Sequence, residues 1–114
     1  MVSEELPIYK DTYDLVYLFI DYTGKFPKRF KYTLGERLLT KALNLFTYIQ
    51  KANRFKENRT KHLEDFLVDF ADVKTIVRFC NELHIFSIIQ EAEVSRLMVK
   101  IEKQAISWKK TKIR

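Results

Sequence analysis

Apolar residues recur at intervals of three and four positions along most of this chain, which is the spacing of an amphipathic helix. The recurrence predicts four helices, at about residues 12–23, 34–56, 61–83 and 88–110. The connections between them are short, roughly two to eight residues as in helical bundles, so consecutive helices are expected to be antiparallel neighbours. The pattern therefore predicts one all-α domain over residues 1–114, an up-down-up-down four-helix bundle.

Each predicted helix carries one seam of apolar residues that would form the core of the bundle. In chain order, the seam residues are Tyr13, Val16, Tyr17, Ile20, Leu38, Ala42, Leu45, Ile49, Ala52, Leu63, Phe66, Phe70, Val73, Val77, Cys80, Val94, Leu97, Ile101, Ala105 and Trp108. Further apolar residues lie off the seams: Phe19, Leu39, Phe46, Tyr48, Phe79, Ile88, Met98, Val99 and Ile106. A wide core stripe accounts for about half of this second set, and the remainder predicts a homo-oligomer interface.

Polar residues at three places are expected to cap helices. Thr33 with Glu36, and Ser87 with Gln90, have the spacing of a capping box. In this motif each of the two side chains bonds the backbone N–H of the other residue. Thr60 follows a break in the apolar pattern and is predicted to cap the third helix.

A basic and aromatic segment connects the first two helices. Its cations and rings are Lys25, Phe26, Lys28, Arg29, Phe30, Lys31 and Tyr32. Pro27 is predicted to hold this segment out of helix, since its ring disfavours helical geometry at the preceding residue. Gly35 follows and predicts the close approach of another chain segment. The segment can serve as a tight corner between helices, as a nucleic-acid contact, or as both.

The net charge of +6 is unevenly distributed. Residues 24–62 hold eleven Lys and Arg against two Glu, and residues 96–114 hold seven against one, whereas the intervening and N-terminal parts are acidic. Such concentration indicates a polyanion or an acidic partner. The alternative is that helix ends select these charges, since acids favour helix starts and bases favour helix ends.

Two predicted helices carry a basic outer face with few acids in their own sequence. The face of the second comprises Arg37, Lys41, Asn44, Tyr48 and Lys51, and that of the fourth comprises Arg96, Lys100, Lys103, Ser107 and Lys110. Ordinary solvated faces mix both signs, so these faces predict salt-sensitive binding to phosphate backbones with little sequence selectivity. For either basic face taken alone, the alternative is an ordinary solvated helix surface.

The predicted topology also gathers cations at the ends of the bundle, because the second and fourth helices run in the same direction. One end would receive Lys51, Arg54, Lys56, Arg59, Lys61, Lys109, Lys110, Lys112 and Arg114. The opposite end would receive Lys25, Lys28, Arg29 and Lys31. No sequence signature of a specific nucleic-acid-binding fold is present.

Nothing in the sequence has the spacing of an active site. His62 and His84 have no partner at metal-ligand spacing, and no Gly-rich phosphate loop occurs. Cys80, the one cysteine, lies on a seam and is interpreted as a buried structural thiol without a disulfide partner. We therefore expect a binding protein, not an enzyme, with no metal or cofactor. The absence of a membrane-length apolar run and of a signal-peptide pattern predicts a soluble, cytoplasmic protein without membrane contact.

A short sequence motif carries a resemblance to a known protein family. The motif F-P-K at residues 26–28, followed by Y-T-L-G-E-R at residues 32–37, resembles the accessory variability determinant (Avd) proteins of diversity-generating retroelements. These belong to a wider group of four-helix-bundle proteins that includes those encoded by intervening sequences in 23S rRNA genes. A second match is L-H-I-F-S at residues 83–87, which opens a helix ending near Trp108. The resemblance spans nearly the whole chain, although only Y-T-L-G-E-R is specific.

The resemblance implies a ring-like pentamer that binds a reverse transcriptase and helps it to copy template RNA into mutagenised cDNA. Together with the charge pattern, it indicates that the chain is non-catalytic and contacts the polymerase and RNA, or DNA, through basic side chains. The candidate residues are Lys28, Arg29, Lys31, Arg37, Lys41, Lys51, Arg54, Lys56, Arg59, Arg96, Lys100, Lys103 and Lys110. The alternatives are an rRNA intervening-sequence-type bundle without a polymerase partner and a protein–protein adaptor.

Overall fold

The computed structural model describes residues 2–111, which form helices and turns and contain no β-strand. The four long helices are α1 (Pro7–Thr23), α2 (Glu36–Arg54), α3 (Arg59–Glu82) and α4 (Ile88–Lys109). The shorter helical turns are Ser3–Glu5, Lys28–Phe30, Lys31–Gly35 and Lys56–Asn58. None of the described helices is both long enough and apolar enough to cross a membrane.

The four long helices pack side by side around one core, with overall dimensions of 49 × 23 × 21 Å. At one end, which we call the terminal end, the Arg59 guanidinium lies 5.1 Å from the centre of the Trp108 ring, and Pro7 shares a groove with Trp108. At the other end, the turn end, the Tyr22 and Phe86 rings are 5.8 Å apart. Consecutive helices are therefore antiparallel, as predicted.

The predicted seams of α2, α3 and α4 form the core. All five seam residues of α2 are fully buried, and so are most of those on α3 and α4. Trp108, at the end of α4, is half-buried and packs against the core. The periodicity identified these faces because the continuous apolar stripe on each of the three helices is the one that is buried.

On α1 the predicted seam is wrong for three of its four residues, and only Val16 is buried as predicted. The side chains of Tyr13, Tyr17 and Ile20 are 58%, 66% and 56% exposed, whereas Leu15 and Phe19 are fully buried. Both sets recur at helical spacing, so the periodicity of this helix does not distinguish its two faces. The choice is made by contacts with α2 and α4, which cover the Leu15–Phe19 face.

The starts of three helices also differ from prediction. The first helix begins at Pro7 instead of near residue 12, with proline at the first helical position, where its missing N–H has no intrahelical partner to lose. The helix predicted to follow a Thr33 cap is instead preceded by helical turns that begin at Lys28. Thr60 is the second residue of α3, and no side-chain hydrogen bond caps that helix.

The capping box predicted for Thr33 and Glu36 is absent. The Thr33 hydroxyl donates to the Arg29 carbonyl at 2.7 Å, as Thr side chains within helices often do. The helical start lies farther upstream because the Pro27 carbonyl accepts the amides of Phe30 and Lys31 at 2.9 and 3.0 Å. The basic aromatic segment is therefore helical, and Pro27 precedes its first turn instead of excluding the segment from helix.

Residues Lys31–Gly35 form a π-helical turn between that short helix and α2. The Glu36 amide donates to the Lys31 carbonyl five residues earlier, which widens the turn. Gly35 is buried, and a Cβ placed on it would lie 3.4 Å from the Thr23 Cβ and 3.5 Å from the Phe26 ring. Gly35 thus lies against the end of α1, as predicted, and these distances are ordinary van der Waals contacts, so the position has room for a Cβ.

The second capping box is present at the start of α4. The Gln90 amide donates to the Ser87 hydroxyl at 3.1 Å, and the Ser87 amide donates to the Gln90 side-chain oxygen at 2.9 Å. The sequence pattern was sufficient here because both partners lie within one turn of each other.

The different contributions of the Ser87 and Thr33 hydroxyls to stability can be measured. Ser87→Ala is expected to lower the free energy of unfolding by about 1 kcal/mol, because it removes an N-cap. Thr33→Ala is expected to change it by less than about 0.5 kcal/mol, since its hydroxyl bonds an exposed carbonyl within a helix. Equilibrium urea denaturation of both variants would test this, and equal losses would contradict the assigned roles.

The apolar residues predicted to lie off the seams divide into two groups. Buried or packed against the core are Phe19, Leu39, Phe46, Tyr48 and Met98. Largely exposed are Phe79, Ile88, Val99 and Ile106. The core stripe is therefore wide, as expected for about half of these residues. The others are exposed on α3 and α4.

Candidate nucleic-acid interface

Ion pairing divides the cations of this bundle into two classes. Within residues 2–111, a carboxylate oxygen lies no more than 4.0 Å from the charged nitrogen of Lys25, Lys41, Lys61, Lys74, Arg78, Lys100 and Lys109. In the same part of the chain, no carboxylate lies within that distance of Lys10, Lys28, Arg29, Lys31, Arg37, Lys51, Arg54, Lys56, Arg59, Arg96, Lys103 or Lys110. The second class is the pool of cations available to a polyanion.

The middle of the basic face on α2 is neutralised by α3. The Lys41 ammonium lies 2.9 Å from an Asp72 oxygen and 3.4 Å from an Asp69 oxygen. Hydrogen bonds to Asp72 and Asp69 raise the pKa of Lys41. Asp69 is buried, so Lys41 serves as its counter-ion and links the two helices. Burial, followed by the negative charge of Asp69, raises the pKa of the neighbouring Tyr48.

The middle of the basic face on α4 is neutralised by α1. The Lys100 ammonium lies 3.5 Å from one Asp11 oxygen, and the Gln104 side-chain amide donates to the other at 2.6 Å. The balancing acids that appeared to be missing from the sequence of α4 therefore come from another helix. The expectation of two continuous, uncompensated basic faces is wrong, because pairing across helices interrupts both faces.

Unpaired cations cluster around the connection between α1 and α2. We call Lys28, Arg29, Lys31, Tyr32 and Arg37 the basic corner. The Arg29 guanidinium lies 4.5 Å from the centre of the Phe30 ring, which orients it by a cation–π contact. The ring of Tyr32 is 57% exposed. This cluster combines free positive charge with an exposed aromatic ring on a helical, closely packed backbone.

A second cluster occupies the terminal end and comprises Lys51, Arg54, Lys56, Lys103 and Lys110. The Arg54 guanidinium lies 5.6 Å from the centre of the Phe55 ring, which is itself 44% exposed. Lys103 lines the groove that Pro7 and Trp108 share. Both ends of the bundle thus carry free cations beside exposed aromatic rings. The predicted members Lys112 and Arg114 lie outside the described residues.

Two other candidate residues have different surroundings. The Arg59 Nε donates to the Ala52 carbonyl at 2.9 Å while its guanidinium covers Trp108, so it ties the α2–α3 turn to α4. Arg96 lines a groove between α1 and α4 together with the carboxylates of Asp14 and Glu93. Arg96 therefore faces a surface of mixed charge, unlike the cations of the basic corner.

The described residues contain no cluster of metal-ligating side chains. No group of three or more His, Cys, Asp or Glu side chains within residues 2–111 could hold a metal ion. The His62 ring lies 6.1 Å from the Phe55 ring at the terminal end. His84 is exposed in the α3–α4 turn with a φ of 59°, where the Ile85 amide closes the helix by donating to the Cys80 carbonyl.

Cys80 should be unreactive while the protein is folded. Burial raises the pKa of its thiol to about 11, so at neutral pH the thiolate is scarce and shielded. We expect negligible reaction with an aromatic disulfide reagent at pH 8 in native buffer and rapid reaction in concentrated urea. Reaction of the native protein at the rate of a free thiol would contradict this assignment.

The same group makes folding sensitive to alkaline pH. The unfolded thiol ionises near pH 9.0 and the folded thiol near 11, so its contribution to stability is complete below pH 9.0 and is lost as the pH rises towards 11. Ionisation of Tyr22 also lowers the stability of the fold at alkaline pH, because burial and the hydrogen bond of its hydroxyl to Glu93 raise its pKa to about 12.

The chain matches the model of a known protein family. A family model described as bAvd-like matches residues 6–112, a range that contains all four long helices and the basic corner. No curated protein matches the chain.

Proposed function

Because this chain belongs to the bAvd-like family, we propose that it is a non-catalytic accessory protein of a diversity-generating retroelement. In this role it binds the reverse transcriptase and the template RNA and supports mutagenic cDNA synthesis. The proposal combines the family with the resemblance of the Y-T-L-G-E-R string, residues 32–37, to Avd proteins. It requires no cofactor.

The observation that carries the RNA part of this proposal is the placement of the unpaired cations. Cations near the middle of the bundle, such as Lys41, Lys74 and Lys100, are held by carboxylates of neighbouring helices. Within residues 2–111, the cations of the basic corner have no such partner, nor do Lys51, Arg54, Lys56, Lys103 and Lys110 of the terminal end. Lys61 and Lys109, at the same end, pair with Asp65 and Glu64. Binding a phosphate at these free cations releases counterions without breaking an ion pair, which favours contact with nucleic acid.

The proposal includes self-association. Exposed apolar side chains lie on α1 at Tyr13, Tyr17 and Ile20, and on α4 at Val99 and Ile106. Surface of this kind is typical of interfaces, because its burial removes apolar area from water. The pentamer implied by the resemblance would cover part of it in each copy.

Light scattering at micromolar concentration tests the assembly. We expect a species several times the 13.7 kDa mass of one chain, with about five copies if the resemblance holds. A monomer at every concentration and salt would contradict the proposed oligomer. In that case the exposed apolar side chains would be expected to contact a partner other than a second copy of this chain.

Two binding measurements test the function itself. The first is co-purification with a reverse transcriptase encoded beside this gene. The second is fluorescence anisotropy of a labelled single-stranded RNA titrated with the protein from about 50 to 200 mM salt, over which the logarithm of the binding constant should fall linearly with the logarithm of salt. Loss of both interactions would favour the adaptor alternative. RNA binding without polymerase binding would favour the intervening-sequence-type alternative.

A further inference from the structure

Tyr32 stands between two depressions at the turn end. One is a cleft of about 780 Å³ that Tyr32 lines together with Arg37, and the other is a groove of about 190 Å³ that it lines together with Lys31. The ring, 57% exposed, therefore separates two hollows, each of which has one unpaired cation on its wall.

The charges around the ring restrict what can bind there. Lys41 also lines the larger cleft, but Asp69 and Asp72 already neutralise it. Glu36 lines both hollows and is the one carboxylate among their lining residues, so an anionic group is expected beside Lys31 or Arg37 and away from Glu36. The site thus offers two separate positive positions with a flat ring between them.

The backbone that carries the ring is already ordered by packing. Tyr32 lies in the π-turn, which the Thr33 hydroxyl bonds to the preceding helical turn and which Gly35 packs against Thr23. π-Helical turns are uncommon and often occur at functional sites. A tyrosine on a rigid support has few side-chain torsions to order on binding, so little conformational entropy is lost.

We propose that Tyr32 is a base-stacking platform for single-stranded RNA. One unpaired base stacks on the ring, and the phosphates on its two sides contact Lys31 and Arg37. This inference rests on the proposed function and names the place on the protein where RNA is held.

The arrangement fits a single strand better than a duplex or an acidic protein. In a duplex the base faces are covered by their neighbours, so the ring would have no face to contact. Carboxylates of a protein would satisfy the cations but would leave the exposed ring unused. Alternating base faces and phosphates along a single strand match a ring flanked by two cations, as in other single-strand-binding proteins.

Affinity measurements on tyrosine variants test the platform. Tyr32→Ala should weaken binding of a labelled single-stranded RNA roughly 5- to 150-fold, the range for losing one stacked base. The slope of the logarithm of affinity against the logarithm of salt should not change, since no charge is removed. Tyr32→Phe keeps the ring and should bind nearly as well as the parent protein.

Val68→Ala is the control. Val68 is 65% exposed on α3 and lines neither of the two hollows, so truncating it should leave RNA affinity unchanged. A fluorescent adenine analogue within the RNA provides a direct readout, because stacking on the ring should quench it with the parent protein and not with Tyr32→Ala. Circular dichroism of each variant establishes that it is folded.

The possible outcomes distinguish the Tyr32 platform from the RNA part of the proposed function. Equal RNA affinity of Tyr32→Ala and the parent would overturn the platform and leave the proposed function intact. An equal loss of affinity for duplex RNA, or a changed salt slope, would also overturn it, since neither follows from stacking. If the parent protein binds no RNA at any salt concentration, both the platform and the RNA part of the proposed function fail.

Discussion

Phe19→Ala is expected to lower the free energy of unfolding by about 3–5 kcal/mol, which is the usual cost of truncating a buried aromatic side chain. The Phe19 side chain is fully buried in the face of α1 that packs between α2 and α4. Its removal leaves a cavity that neighbouring helices cannot fill without moving. Equilibrium urea denaturation, monitored by circular dichroism at several protein concentrations, measures the loss and separates it from any effect of assembly.

Tyr17→Ala serves as the control on the opposite face of the same helix. Its side chain is 66% exposed, so truncation is expected to change the stability of the folded chain by less than about 0.5 kcal/mol. The apolar periodicity alone predicts the reverse order for these two substitutions. A larger loss for Tyr17→Ala than for Phe19→Ala would show that the Tyr17 face of α1, and not the Phe19 face, packs into the core.

Reversing two charges of the basic corner is expected to reduce RNA affinity by roughly 10- to 100-fold at low salt. The double variant Arg29→Glu, Arg37→Glu removes two candidate phosphate contacts and places two carboxylates where phosphates would bind. The magnitude of the salt slope should fall by about 1.4, since each lost contact with a single strand contributes about 0.7. Anisotropy titrations at several salt concentrations provide both quantities.

The control is a double reversal with the same change in net charge. Lys74→Glu, Arg78→Glu alters two cations of α3 that are already paired, with Glu102 at 2.8 Å and with Glu82 at 3.1 Å. These exposed pairs contribute little to stability, on the order of 1 kcal/mol or less each, so the variant should remain folded. If both double variants lose affinity equally, net charge and not the basic corner determines binding.

Lys41 is unsuitable for such a reversal, although the sequence placed it among the candidates. A glutamate at position 41 would lie beside Asp69 and Asp72, one of which is buried, and would destabilise the α2–α3 contact. A loss of RNA binding in that variant would then report unfolding instead of a lost phosphate contact. The cations of the basic corner do not have this disadvantage.

The local sequence determined the number of helices, most of their ends and three of the four buried faces. The seams of α2, α3 and α4 were predictable because on each helix one continuous apolar stripe dominates, and that stripe faces the core. The capping box of Ser87 and Gln90 was predictable because its partners are three residues apart. The string at residues 32–37 indicated the family for a similar reason, since it is contiguous.

Only the tertiary structure decided which face of α1 is buried, because two apolar faces compete on that helix and the neighbouring helices choose between them. Only the tertiary structure showed which cations are free. Lys41 and Asp69 are 28 positions apart, and Lys100 and Asp11 are 89 apart, so no periodicity along one helix shows that they pair. Charge neutralisation depends on distance in space, and that distance is set by packing of the whole bundle.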